Sequence, residues 1–214
     1  MSAVASILLC VAALLALGIV GIATPRPLTA TRLVYGGTGL VCLAAASMAF
    51  ALLATGAPPA EITLPLALPW VGAGFRIDSL SAFFLLVVDL GGAASALYGI
   101  GYGAHEKEPR RVLPFFPTFL AGMNLVLLSA DAFSFLLSWE FMSLASWALV
   151  MAHQEEENRR AGYVYIVMAS LGTMALLMAF GILAGTDGGF SFEAMRHSVH
   201  APQMVMLVVI LALL

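Results

Sequence analysis

The chain has 214 residues, of which 62% are hydrophobic and 10% are charged, and its mean hydropathy is +1.01. Soluble domains carry about a quarter charged residues, so this chain has too few charges to cover a surface that faces water. Its formal net charge of -3 excludes a protein with a basic surface for nucleic acid. The composition therefore predicts an integral membrane protein.

Six apolar segments are long enough, or nearly so, to cross the hydrocarbon core, which takes roughly 20 residues of helix. Lipid offers the backbone no hydrogen-bond partners, so each segment must be helical. A seventh apolar run begins at Gln203 and is still too short to cross when it reaches Leu214, so we expect a longer natural protein, a fragment or a frameshifted product. The six predicted spans are Val4–Ala23, Leu33–Thr55, Ser79–Tyr102, Val112–Ser129, Phe133–His153 and Gly162–Ala184.

These segments predict an all-α fold, a polytopic transmembrane helix bundle with six complete spans and a truncated seventh, in a single membrane domain over residues 1–214. No Lys or Arg precedes the first span, so we expect an uncleaved helix rather than a secretory leader. Only Arg76 and Arg196 lie on one side of the predicted bundle, and the positive-inside rule therefore places the other side in the cytoplasm and the N-terminus outside. The basic residues of that other side are Arg26, Arg32, Lys107, Arg110, Arg111, Arg159 and Arg160.

The longest connection on the predicted outer side, residues 56–78, contains prolines that exclude a continuous helix. Two short runs with β-strand character, 61–64 and 73–77, predict a hairpin over the helix ends. Asp78 then precedes a helical run, where its carboxylate can accept hydrogen bonds as an N-cap. Residues 190–198 mix aromatic and charged residues, which predicts a short helix at the outer interface.

Two carboxylates, Asp89 and Glu140, fall inside predicted spans. A charge at the bilayer centre costs about 2.5–3.5 kcal/mol on insertion scales, and such residues usually mark ion or proton paths. Counting from the outer ends of their spans places both at comparable, near-central depth, while whether their helices touch stays open. Glu140 is the first candidate for a proton relay and Asp89 the second. The alternative is a neutral carboxyl bonded to a neighbouring Ser or carbonyl group.

The sequence predicts no redox cofactor and no metal site. Cys10 and Cys42 both lie in apolar runs and form no CxxC or Cys/His cluster. His197 and His200 have the spacing of a metal pair, but two ligands without Cys or acidic neighbours are weak support for a site. The chain has no Gly-rich phosphate loop, haem-binding motif or iron–sulfur spacing.

Three stretches carry a recognisable pattern. Phe75–Phe84 and Tyr98–Tyr102 resemble the two ends of the third helix in proton-translocating antiporter-like subunits, which occur in respiratory complex I, multi-subunit sodium/proton antiporters and membrane-bound hydrogenases. Asp131–Trp147, with its Trp139-Glu140 pair, resembles the fifth helix of the same family. The segment EFMSLASW, residues 140–147, is similar to the corresponding segment in the hydrogenase-4 component B and formate hydrogenlyase branch of the family. The resemblance covers about residues 70–185.

The resemblance implies that Glu140 matches a glutamate that pairs with a lysine in a broken seventh helix and gates proton movement. The only lysine in this sequence is Lys107, in a loop, so that lysine has no counterpart here. Asp89 matches no landmark of the family. The expected partners are lipid, protons, other membrane subunits and a peripheral redox arm, in the inner membrane of a bacterial cell.

Two functions follow as hypotheses. The first is a proton-translocating subunit of a hydrogenase-4, formate hydrogenlyase or NADH:quinone oxidoreductase-type complex, in which the redox chemistry takes place on other chains. The alternative is a non-catalytic membrane scaffold, or a truncated remnant that moves no ions.

Overall fold

The computed structural model describes residues 2–24, 27–65, 72–103, 109–152, 155–185, 189–198 and 201–213. Within these ranges, six helices are long and apolar enough to cross a membrane, which confirms the all-α membrane fold; the orientation stays a prediction. The elements are α1 (Ala3–Ala23), α2 (Pro27–Thr55), β1 (Ala60–Leu64), β2 (Ala73–Ile77), α3 (Ser79–Tyr102), a 3-10 turn (Pro109–Arg111), α4 (Phe115–Leu128), α5 (Ala132–Val150), α6 (Glu156–Ala184), α7 (Phe192–His197) and α8 (Pro202–Ala212).

Two helices begin six residues earlier than the apolar pattern predicts. The second starts at Pro27 instead of Leu33, and the sixth at Glu156 instead of Gly162. Hydropathy detects only the residues that match the hydrocarbon core, whereas a helix can continue beyond that core. The acidic first turn of α6, with Glu156 and Glu157, also suits the positive end of the helix dipole.

Small residues set the distances between helices in the bundle. A Cβ added to Gly99 of α3 would come 2.5 Å from the Tyr35 ring of α2, and one added to Gly18 of α1 would come 2.9 Å from the Pro114 carbonyl oxygen. Such close backbone approach is the usual packing mode of membrane helices, where lipid gives no hydrophobic drive to associate. As a result α1, α2, α3 and α4 form one packed group, while α5 packs on α4 and α6, and α6 packs on α8.

One end of the bundle is closed by a layer of hydrogen-bonded backbone that we call the cap. It consists of the β1–β2 hairpin, the α4–α5 corner at residues 129–131, and residues 189–192 before and at the start of α7. The hairpin is antiparallel, with Ala60 opposite Ile77 and Leu64 opposite Ala73. The Ala130 N–H donates to the Gly74 carbonyl at 2.9 Å, and the Phe192 N–H donates to the Ala130 carbonyl at 3.0 Å. The α4–α5 corner is thus hydrogen-bonded to the hairpin on one side and to the start of α7 on the other.

Asp131 holds the cap to the helices below it. Its carboxylate accepts from the Gly74 N–H at 2.8 Å, and from the Ser134 N–H and hydroxyl at 2.7 Å each. The side chain caps α5 and fixes β2 at the same time. Asp131 is buried, so these three bonds replace the water that a carboxylate otherwise needs.

The predicted N-cap at Asp78 is present as a capping box at the start of α3. Its carboxylate accepts from the Leu80 N–H at 3.0 Å and the Ser81 N–H at 2.9 Å, while the Asp78 N–H donates to the Ser81 hydroxyl at 2.8 Å. Partial burial raises the pKa of Asp78, but the hydrogen bonds from Ser81 and Leu80 and the charge of Arg76 outweigh it and hold the pKa below its usual value of 3.8.

Replacing Asp78 with Ala should lower the free energy of unfolding by about 1 kcal/mol, the typical value of an N-cap. Because the folded-state pKa of Asp78 is lowered, its contribution is complete above the usual value of 3.8 and is lost as the pH falls through the folded value. Unfolding in detergent at neutral and acid pH measures both effects. The control is Asp78→Ser, which keeps a capping oxygen; an equal loss in both variants would contradict the capping role.

Candidate functional site

A polar pair is enclosed between α3 and α4 near the middle of the bundle. Asp89 of α3 and Asn124 of α4 are both 0% exposed. The Asn124 Nδ2 donates to the Asp89 Oδ1 at 3.1 Å. Cys42 of α2 packs against α3 one turn further along, where a Cβ added to Gly92 would lie 3.1 Å from the Cys42 Sγ. The sequence singled out Asp89 but missed Asn124, although an amide inside an apolar span was a signal that could have revealed it.

The apolar surroundings of Asp89 separate it from both ends of the bundle. Leu85 and Leu128, on the cap side, belong to one buried cluster, and Cys42 and Leu120, on the other side, belong to a second. Neither the Asp89 nor the Asn124 side chain reaches the surface of the described part of the chain. The pair is therefore a closed site within this part of the chain.

Glu140 lies at the level of this pair on the opposite side of α4. The corner 129–131 reverses the chain, so α4 and α5 are antiparallel, and a Cβ added to Gly122 would lie 2.8 Å from the Met142 Cα. Two residues toward the cap from this contact are Asn124 on one helix and Glu140 on the other. Positions 122 and 124 are about 200° apart around a helix, so α4 stands between Glu140 and Asp89.

The two candidate carboxylates are thus at one depth but do not form a pair, because α3 and α5 make few direct contacts. Glu140 is partly buried, at the midpoint of α5. Leu137 and Leu144, one turn away on either side, are 58% and 51% exposed. Glu140 therefore stands at the border between the packed side of α5 and its exposed apolar side.

Aromatic contacts fix the rotation of α5 next to Glu140. Phe135 stacks on Trp139 with ring centroids 5.8 Å apart and an interplanar angle of 18°. The same Phe135 ring meets Phe180 of α6 at 5.6 Å and Phe192 of α7 at 6.1 Å, both edge to face. Trp139, which precedes Glu140, is thus packed in a cluster that joins three helices.

A charged cleft of about 370 Å³ opens under the cap, between β2, α3, α4 and α7. Arg76 of β2 crosses it to Glu193 of α7, with Nη1 3.1 Å from the Glu193 Oε2. Hydrogen bonds from Arg76 and His197 lower the pKa of Glu193. This ion pair is solvent-exposed, so it positions α7 and contributes little stability.

Metal ligands do not converge in the part of the chain that the structure describes, where no group of three His, Cys, Asp or Glu side chains could hold an ion. His197, half of the weak metal pair noted in the sequence, lies 3.3 Å from Glu193. His200 and Lys107 lie outside the described residues.

Comparison with known sequences agrees with the motif on α5. Residues 129–214 match the family described as NADH:quinone oxidoreductase/Mrp antiporter, TM. Hydrogenase-4 component B of Escherichia coli (strain K12) is 33% identical over 166 residues, which is 75% of this chain and 23% of that protein. Putative antiporter subunit mnhD2 of Staphylococcus aureus (strain JH9) is 35% identical over 128 residues, 58% of this chain and 26% of that protein. The chain thus spans about a quarter of the length of these curated relatives.

Two solved structures share the fold. A chain of the Mrp complex from Dietzia sp. DQ12-45-1b has a TM-score of 0.77 and 24% identity, covering 100% of this chain and 40% of its own. A chain of the membrane-bound sulfane sulfur reductase, an archaeal respiratory membrane complex, has a TM-score of 0.73 and 18% identity, covering 98% and 42%. In sequence and in fold the chain is therefore similar to antiporter-like membrane subunits, as Asp131–Trp147 predicted, with residues 129–214 matching the NADH:quinone oxidoreductase/Mrp antiporter family.

Proposed function

We propose that this chain forms part of the proton path of an antiporter-like membrane subunit, with Glu140 as the group that takes up and releases the proton. The observation that carries the proposal is the position of Glu140, at the midpoint of α5 and at the border of its exposed side. An ionised carboxyl at the centre of a span costs about 2.5–3.5 kcal/mol. Exchange of a proton with a neighbouring group requires an ionisable side chain, which explains why a carboxyl occupies this position.

The partner of Glu140 would lie beyond the helices that pack against α5 in this structure. No hydrogen bond or ion pair of its carboxylate occurs among the described residues. Its place beside the exposed Leu137 and Leu144 leaves one side of the carboxyl open to a further helix. The family resemblance predicts a lysine there, and Pro202–Ala212 of α8 contains none.

The assembly that we propose is a multi-subunit complex of the hydrogenase-4, formate hydrogenlyase or NADH:quinone oxidoreductase type in a bacterial inner membrane. The similarity to hydrogenase-4 component B supports this choice. In such a complex a peripheral arm on other chains carries out the redox reaction, and the membrane subunits move protons. This chain would contribute Glu140 and the helices that position it, without a redox centre of its own.

Replacing Glu140 with Gln in the complete complex should reduce proton translocation by about tenfold or more, because Gln keeps the shape of the side chain and cannot exchange a proton. Electron transfer measured with an artificial acceptor should continue, since the redox centres lie elsewhere. The experiment uses the complex in sealed vesicles and records proton uptake with a pH-sensitive dye alongside the rate of electron transfer.

The matched control is Glu157→Gln, the same substitution at an exposed position in the first turn of α6, which should leave proton uptake unchanged. Unchanged proton uptake in Glu140→Gln, with normal assembly, would remove Glu140 from the path. That result would favour the alternative, a membrane scaffold that moves no ions.

A further inference from the structure

The hydrogen bond between Asp89 and Asn124 leaves one acceptor on each side chain without a partner. The bond uses the Asp89 Oδ1 and the Asn124 Nδ2. Among the described residues, the Asp89 Oδ2 and the Asn124 Oδ1 are both buried and have no hydrogen-bond partner. Buried polar atoms are nearly always paired, so two unpaired oxygens on adjacent, bonded side chains need an explanation.

A proton on Asp89 supplies that explanation. An ionised carboxylate and an amide oxygen are both acceptors only, so they cannot bond to each other. A protonated carboxyl has one O–H donor. With the proton on Oδ2, Asp89 can donate to the Asn124 Oδ1 while its Oδ1 accepts from the Asn124 Nδ2. A carboxylic acid and an amide then share two hydrogen bonds, and both unpaired atoms are satisfied.

The surroundings of Asp89 favour the neutral acid over the ion. The side chain is 0% exposed and lies between two apolar clusters of the core. No ion pair of Asp89 occurs in the described part of the chain. Among the described residues, the other titratable groups near it are Cys42 and Cys10, and neither supplies a positive charge. A buried carboxylate without a cation is unfavourable, whereas the acid–amide pair carries no net charge.

We propose that Asp89 binds a proton of its own at neutral pH and holds it in a two-bond pair with Asn124. This is a second proton-binding site, separated from Glu140 by α4. It does not depend on the role of Glu140, because its support is the geometry of the α3–α4 pair alone. The ligand is a proton, the donor is the Asp89 Oδ2, and the acceptor is the Asn124 Oδ1.

Infrared difference spectroscopy of the protein in lipid vesicles at neutral pH tests the proposal. The spectrum of the wild type minus that of Asp89→Asn should contain the C=O band of a carboxylic acid. Asn at position 89 is nearly isosteric and can form two hydrogen bonds with Asn124, so the variant should fold. In Asn124→Leu the acid band should persist and move to higher frequency, because the acid has lost its hydrogen-bonded partner. Glu140→Gln should leave the Asp89 band in place.

Labelling aspartate carboxyls with carbon-13 gives a second readout that needs no substitution. The acid band should shift with the aspartate label and stay fixed with a glutamate label. If the difference spectrum instead shows the two bands of an ionised carboxylate, or if no acid band follows the aspartate label, the proposal is overturned. Both outcomes are independent of proton translocation, so failure here would leave the role of Glu140 untouched.

Discussion

Replacing Asp131 with Ala is expected to lower the free energy of unfolding by about 3–5 kcal/mol. The substitution leaves the buried N–H groups of Gly74 and Ser134 without their acceptor, and each unsatisfied group costs about 1–3 kcal/mol. The bond from the Ser134 N–H is at the same time the N-cap of α5, so its loss also weakens the start of that helix. Chemical unfolding of the protein in detergent, followed by tryptophan fluorescence and circular dichroism, measures the loss.

The free energy of unfolding of Asp131→Asn should lie between that of the wild type and that of Asp131→Ala. The amide keeps one acceptor oxygen but places an N–H₂ group against a donor. The matched control is Glu61→Ala, which removes an exposed carboxylate from β1 of the same cap and should change the free energy of unfolding by less than about 0.5 kcal/mol. If Asp131→Ala were as stable as Glu61→Ala, Asp131 would not be the residue that joins the cap to the bundle.

Replacing Gly122 with Leu should destabilise the α4–α5 contact by about 1–3 kcal/mol or more, the usual cost of overpacking. The new Cβ would lie 2.8 Å from the Met142 Cα and 3.2 Å from the Met142 nitrogen. These are backbone atoms, so the strain cannot be relieved by a change of rotamer and the helices must move apart. This contact also positions Glu140, so the proposed role of Glu140 predicts that proton translocation by the complete complex should fall as well.

The matched control for this substitution is Gly172→Leu in α6, where an added Cβ meets nothing within 4 Å. There Leu should be neutral or stabilise the helix by up to about 1 kcal/mol, because Gly is a poor helix former. Thermal unfolding of both variants, with proton uptake measured in vesicles, separates a packing effect from the general cost of a larger residue. Equal stability of the two variants would show that the α4–α5 contact tolerates separation.

The elements of the fold were predictable from sequence because the lipid bilayer restricts both the composition and the secondary structure of a segment that crosses it. Apolar runs of about 20 residues must be helices, and prolines with alternating residues identified the hairpin. The capping box at Asp78 also follows from local sequence, since the donor and acceptor are at most three residues apart. The predicted helix ends were less accurate, as the observed starts at Pro27 and Glu156 show. The apolar pattern marks only the part of a helix inside the membrane, whereas these helices continue beyond it.

The candidate site was only half predictable. A carboxyl inside a span is visible in sequence, so Asp89 and Glu140 could both be singled out. The bond between Asp89 and Asn124 depends on the rotation of two helices about their axes, which is set by contacts such as that of Gly92 with Leu120. The same limit applies to Asp131, whose bond to Gly74 joins residues 57 positions apart. Hydropathy carries no information on such long-range pairing.

The bonding pattern of the cap has a consequence for the order of biogenesis. The Ala130 N–H bonds to Gly74, earlier in the chain, and the Ala130 carbonyl bonds to Phe192, which is translated later. The cap is therefore incomplete until the ribosome has passed residue 192, by which point the sequences of all six long helices have been synthesised. The first four crossings can associate beforehand through their own close contacts. The cap can therefore close only after the chain of the sixth long helix has been made.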